Sequence, residues 1–281
     1  MTRLVSQSYG KSRIKLLSVL RNAAGQDVRQ LMVDVNLEGG FESAYTRGDN
    51  AAVLPTDTMK NVVYVLARRF PPESIPTFAG RLAEHFVSEH AQVSAASVEI
   101  EETPWQRIAS GGEPHPSTFV GGSSHRSVCR VGATRDALRT CCGVRNLQLL
   151  KTGGSAFEGF LKDEFTTLAE TSDRVLATAV DALWSFRAES IELDACNERV
   201  REALVASFAD FDSRSVQHQL HAMGRSALET SKQLESIQLC LSNRHHILVD
   251  LSPFGLENSN EVFVVTDEPQ GSIVGTLEAG S

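Results

Sequence analysis

Between Phe157 and Arg174 the chain reads FEGFLKDEFTTLAETSDR, setting Phe157, Phe160 and Phe165 ahead of one arginine on a polar stretch whose spacing predicts a helix. An aromatic ring offers a stacking face to a flat ligand, and a guanidinium fork offers paired donors to two adjacent acceptors. Together they suit a flat, electron-rich anion. The same residues also fit a packing role, with the phenylalanines in a core and Arg174 on a solvated helix face, since aromatics at helical spacing are usually buried.

Four shorter features offer related chemistry. Tyr9-Gly10-Lys11 stands just before the first expected strand, where Lys11 either points into a cleft or lies on the surface. Leu54-Pro55-Thr56-Asp57-Thr58 introduces a helix. Thr56 or Asp57 would cap it, although a hydroxyl beside free helix amides is also an anion and oxyanion site. Ser215-Val216-Gln217 opens another helix, and Gln217 is either solvated or presents a donor and an acceptor to a purine-like edge. Ser242-Asn243-Arg244-His245-His246 joins two expected strands, so Asn243 reads as a turn residue and His245 as a strand-end imidazole able to relay protons near neutral pH.

Competing chemistries lack their motifs. His218 and His221 share a helix face and His115 sits in a proline-bounded loop, yet no HExxH, CxxC or carboxylate triad accompanies them, so no metal site is expected. Without GxSxG, GxxxxGK[ST] or a GxGxxG opening a βαβ unit, hydrolase, NTPase and nicotinamide readings have no foothold. Cys129, Cys141, Cys142, Cys196 and Cys240 are an odd set without CxxC pairs, which reads as buried free thiols. The net charge of −8 argues against a nucleic-acid groove or an anionic membrane surface as main partner, so an anionic ligand must be held by local cations.

The elements that would position these residues follow from length and periodicity. A chain of 281 residues predicts two cores, placed at 1–138 and 139–281, and its 41% hydrophobic and 22% charged content is that of a soluble globular protein. No run approaches the ~20 apolar residues of a membrane span. The N-terminus lacks a signal peptide's apolar run and cleavage site, and LEAGS is not a Ser-Lys-Leu address, so a cytoplasmic location is expected. Alternation in Ile14–Leu20 and Leu31–Leu37, across the turn NAAGQD, predicts a hairpin. Helices are expected over Asp57–Arg69 and, after Pro71-Pro72, through Ile75, Phe78, Leu82 and Phe86, followed by strands near Val93–Glu101 and Ser117–Val131, interrupted by the loop SGGEPHP. The second half repeats this order. It has strands at Leu147–Lys151 and Val180–Phe186, helices through Val200–Phe208 and Val216–Ala227, and alternating runs at Ile237–Leu241 and Ile247–Leu251. Two α+β halves with antiparallel sheets and helices on one face result, and closing their open edges into a barrel on oligomerisation would protect them.

Taken in order, YGK, LPTDTMKN, GEPHPSTF, LLKTGGSAFEGFLKDEFTTLAETSDR, SVQ and SNRHH resemble the urate oxidase (uricase) family, from Tyr9 to Phe263. One departure is Gly153, where the family usually carries a small hydroxyl residue; loop stiffness is affected there more than chemistry. The resemblance implies two tandem tunnelling-fold domains per subunit, a homotetramer around a central tunnel, and oxidation of urate by dioxygen and water to 5-hydroxyisourate and hydrogen peroxide without a cofactor. It also implies roles: Phe157 stacking on urate, Arg174 and Gln217 clamping its edge, and the Val216 N–H adding a contact. Thr56 and Asp57 would come from the neighbouring subunit. Lys11, Thr56 and His245 would form the proton relay, and Asn243 would hold dioxygen or water above the ring. Two alternatives are a non-catalytic purine-binding module and another tunnelling-fold enzyme acting on a pterin or purine. The first lacks a reason for Lys11, Thr56 and His245, and the second calls for a Cys/His zinc set not seen at suitable spacing.

Overall fold

The structure, a computed structural model, describes residues 2–22, 25–122, 124–187 and 192–280. It divides into two units, one of Met1–Gly143 with Ser185–Ala195 and one of Val144–Trp184 with Cys196–Ser281.

In the first unit β1 (Tyr9–Asn22) pairs antiparallel with β2 (Gly25–Gly39), with Ile14 opposite Val33 and a register shift between Lys11 and Ile14. The hairpin is as expected, with longer strands; residues 23–24 of its turn lie outside the described residues. Three helices follow: α1 (Glu42–Arg47), α2 (Thr56–Arg69) and α3 (Ile75–Glu89). Then come β3 (Val93–Thr103), β4 (Trp105–Ser110), β5 (Glu113–Gly121), β6 (Arg126–Thr134) and β7 (Leu138–Lys151). The main sheet of this unit runs β1-β2-β3-β6-β7. Leu31, Val33, Val35 and Leu37 alternate into its buried face, where α3 packs over β3 and β6 and α2 over β1. Each such side chain is worth about 1.5–3 kcal/mol of transfer free energy. Met59 and Val63 of α2 and Phe78, Leu82 and Phe86 of α3 are likewise buried.

The second unit continues from the end of β7 through β8 (Leu176–Phe186), α4 (Leu193–Asp210), α5 (Val216–Glu229), β9 (Leu234–Leu248) and β10 (Phe263–Glu278), with strand order β7-β8-β9-β10. Helix α5 packs on β9 and β10, burying Leu220, Met223 and Ala227 with Ile237, Leu239 and Leu241. The α+β class holds; the expected strand-strand-helix-helix-strand-strand order describes the second unit, whereas the first adds α1 and the β4–β5 hairpin to it.

Four local expectations are corrected. Phe157–Arg174 forms no helix. Gly159 takes a φ of 68° there, and Asp163 accepts from the Phe165 N–H and the Thr166 hydroxyl, local bonds that compete with helix formation. SGGEPHP is not an interrupting loop. It is the tip of the β4–β5 hairpin, where Gly111 and Gly112 turn with φ of 65° and 89°, values that suit a tight two-residue turn. Ser242–His246 is not a turn between strands but lies inside β9, because Asn243 and His245 continue the alternation of Leu239 and Leu241 with polar side chains. The last strand is accordingly β10, beyond Ile247–Leu251, and α1 is an element the hydrophobic pattern did not mark, its six residues contributing nothing buried. None of the five cysteines is in a disulfide; Cys129, Cys142 and Cys196 are buried and Cys141 and Cys240 half-buried.

Candidate active site

Phe157 lies in a loop held through its backbone. Its N–H donates to the Thr171 carbonyl over 2.8 Å, and the Thr171 N–H returns a bond to the Phe157 carbonyl over 3.1 Å. Just before it, Ser155 bridges to Ser213: the Ala156 N–H donates to the Ser213 carbonyl at 2.8 Å, and the Ser213 N–H to the Gly154 carbonyl at 3.0 Å. Ser213 closely precedes α5, so these bonds bring the Phe157 backbone to the helix start that carries Val216 and Gln217.

The Phe160 ring stacks on Phe157 with centroids 4.8 Å apart and planes 13° from parallel. Phe160 therefore packs, but against the proposed ligand-stacking ring and not in a helix core. Phe165, by contrast, is 81% exposed, so the expected packing role is not filled among the described residues. The Arg174 guanidinium sits 5.1 Å from the Phe157 centroid. Burial pushes its pKa below the ordinary arginine value, and its Nε is buried without a hydrogen-bond partner. Leaving such a donor unpaired costs about 1–3 kcal/mol, more for a charged group, and an anionic acceptor placed there would recover that cost.

At α5, Ser215 caps the helix by accepting from the His218 N–H over 3.0 Å. The Val216 and Gln217 N–H groups belong to the first turn of the helix, which has no carbonyl one turn earlier to take them, so this end can offer donors to an acceptor. Val216 buries its side chain while Gln217 is exposed. Behind them, Lys151 at the end of β7 donates to the Phe211 carbonyl at 2.7 Å and to Gln219 Oε1 at 2.9 Å, and Gln219 Nε2 donates to the Ser207 carbonyl at 3.1 Å. Burial lowers the Lys151 pKa. Neither Lys151 nor Gln219 was singled out from sequence; the available signal was a lysine ending an apolar strand.

Asn243 and His245 lie on β9 opposite Gly271 and Thr266, where the register of β10 shifts. Asn243 is 9% exposed and His245 is exposed, so this face of the strand passes from core to solvent. The Thr178 hydroxyl donates to the Ser242 carbonyl at 3.2 Å, linking this stretch to β8, which begins just after Arg174.

Lys11, Thr56 and Asp57 belong to the first unit. Lys11 lies within β1, opposite Val35, immediately before the register shift, rather than ahead of the strand. Pro55 is the N-cap of α2 and no side chain caps it, so neither Thr56 nor Asp57 has that role. The Asp57 carboxylate instead binds Lys60 and accepts from Asn61 Nδ2 at 3.1 Å. The Lys60 hydrogen bond, with Lys60 and Lys11 charge adding to it, holds the Asp57 carboxyl below the usual range.

The structure thus gathers Phe157, Arg174, Val216, Gln217, Asn243 and His245 in one unit and Lys11, Thr56 and Asp57 in the other. Among the described residues no group of three or more His, Cys, Asp or Glu side chains is placed to hold a metal ion. His218 accepts from the Arg214 N–H at 3.3 Å and sets its ring edge against Phe211, and His115 accepts from the Ser117 N–H at 3.3 Å, so both have structural partners.

Comparison with known proteins adds a family-scale finding. The family described as Uricase matches residues 7–132 and 140–274. The chain is 38% identical over 280 residues to uricase of Arthrobacter globiformis, covering 98% of this chain and 89% of that protein. It is 35% identical over 293 residues to uricase of Cyberlindnera jadinii, covering 98% and 97% of the two chains. The crystal structure of uricase from Arthrobacter globiformis superposes with a TM-score of 0.94 at 36% identity, covering 99% of this chain and 96% of that one.

Proposed function

This chain belongs to the uricase family and is an oxidoreductase acting on urate with dioxygen as acceptor; we propose that the two residue sets above are the two halves of its active site. The observation that carries this is the buried, unpartnered Nε of Arg174 beside the Phe157 ring.

Urate, dioxygen and water give 5-hydroxyisourate and hydrogen peroxide. Two electrons leave the purine and reduce dioxygen, water supplies the new hydroxyl, and the protons removed from urate and water end on peroxide. A deprotonated urate is electron-rich enough to reduce dioxygen directly, so the protein's work is positioning and proton transfer. Phe157, backed by Phe160, supplies the ring on which the purine stacks. Arg174 and Gln217 grip its edge, the Val216 N–H adds a donor at the helix start, and the guanidinium stabilises the anion from which electrons depart. Asn243 holds dioxygen or water above the ring. Lys11, Thr56 and His245 move protons between urate, water and the peroxide leaving group.

In this reading Thr56, Asp57 and Lys11 of one subunit complete the site of another, beside its Phe157, Arg174 and Gln217 clamp, in a homotetramer whose sheets close into a tunnel. The division of the residues between two units supports it. So does the apolar surface a single chain leaves bare, including Leu161, Phe165, Val264, Val265 and Val274. Chelator-treated protein mixed with urate in air should remove urate's ultraviolet absorbance, consume oxygen and release peroxide in equal amounts. Correctly assembled protein that does none of these would overturn the reading.

A further inference from the structure

Tyr9 stands two residues before Lys11 on β1 and has no part in either half of the site described above. Its phenol oxygen accepts from the Leu54 N–H over 2.8 Å and donates to the Leu54 carbonyl over 3.1 Å. One hydroxyl therefore satisfies both backbone groups of one loop residue. Leu54 in turn stands two residues before Thr56, separated only by Pro55, the α2 N-cap, whose φ of −56° its ring restrains. The Tyr9 ring packs edge-on against buried Phe41, with centroids 4.8 Å apart and planes at 90°. Burial raises the phenol's pKa, so it keeps the proton that it donates.

The strand alone does not fix Lys11 against Thr56, because the β1–β2 register shifts directly after Lys11 and Arg13 takes a φ of 59°. Yet Lys11 lies close enough to Asp57 to stabilise its carboxylate. The phenol is a side-chain tie between the strand carrying Lys11 and the turn carrying Thr56. We propose that Tyr9 is a positioning residue that sets the separation of the Lys11 ammonium and the Thr56 hydroxyl for proton transfer, touching neither urate nor dioxygen. This rests on the relay reading of Lys11 and Thr56.

Tyr9→Phe retains the ring on Phe41 and deletes both bonds to Leu54. Because small misplacements of a reacting group cost about 100-fold, kcat should fall roughly 10- to 100-fold. The urate KM should stay within about threefold, since the clamp is elsewhere. In a Thr56→Ala background the same change should lower kcat little further, as expected of residues acting through one another. An unchanged kcat in Tyr9→Phe, or an equal fractional loss in both backgrounds, overturns the proposal. If Thr56→Ala alone leaves kcat intact, the relay reading itself fails and the proposal with it, whatever Tyr9→Phe does. Amide exchange in the unaltered protein gives a test that needs no variant: Leu54 should be strongly protected, and free exchange at Leu54 would also overturn the role.

Discussion

The Lys151 ammonium donates to the buried Gln219 side chain over 2.9 Å, tying the end of β7 to the helix that starts with Val216 and Gln217. Gln219 is fully buried, so its oxygen has no water to turn to if the lysine is removed. Lys151→Met should cost about 1–3 kcal/mol of stability through the unpaired Gln219 and Phe211 acceptors. It should also raise the urate KM as the helix start loosens. Thermal unfolding and saturation curves on the same variant check both, and a wild-type melting temperature would contradict the tie.

Arg174 is expected to dominate binding. Arg174→Gln should raise the urate KM by about two orders of magnitude or more, the range for truncating a buried charge-assisted contact. Phe157→Leu loses only stacking, about 0.5–1.5 kcal/mol, and should raise KM by less than about tenfold. The reverse ranking, read by steady-state kinetics, would contradict the assigned roles.

Proton-moving residues should behave differently. Lys11→Met and Thr56→Ala should lower kcat by roughly 10²–10⁴-fold while urate binding, measured directly with oxygen excluded, changes little. Loss of binding with intact turnover of the bound fraction would contradict the relay.

Gly10 tests why the residue between Tyr9 and Lys11 is a glycine. A Cβ there would lie 1.9 Å from the Val35 carbonyl oxygen on the neighbouring strand, a clash with backbone that cannot swing aside. Gly10→Ala should therefore force β1 away from β2 near Lys11, lowering both the melting temperature and kcat. Normal values of both would show that the strands accommodate the methyl group.

His85 on α3 provides a pH test. Burial is the main cause pushing its pKa below 6.5, with His90 and Arg69 adding to the shift and Glu89 opposing it. Between the folded value and 6.5 the unfolded chain binds more protons than the folded one, so stability rises with pH across that window and is lost as pH falls through it. His85→Gln should flatten this slope in denaturant titrations, and an unchanged slope would assign it to other groups.

Much of the fold was legible because it rests on apolar periodicity: Leu31–Leu37 alternates and Ile75–Phe86 repeats at helical spacing, and both elements appear where expected. The misreadings occur where polar residues carry the structure. Asn243 and His245 keep the strand's alternation without its hydrophobicity, and Phe157–Arg174 is held by a bridge between its own Phe157 and Thr171 and, just before it, by one from Ser155 to Ser213, neither of which leaves a local period. The candidate site was legible as residue types in order, through the resemblance. Its supports, Lys151, Gln219 and Tyr9, were not, because their partners lie far along the chain and are largely backbone groups.

Subunit mixing tests the central claim most directly. Lys11→Met and Arg174→Gln each disable one half of the proposed site, and both should be nearly inactive alone. Co-expressed, they should form mixed assemblies in which about a quarter of the sites draw two intact halves from different subunits, restoring a corresponding share of urate-dependent oxygen uptake. Mixed assemblies, verified by sizing, that remain as inactive as their parents would contradict a site shared between subunits.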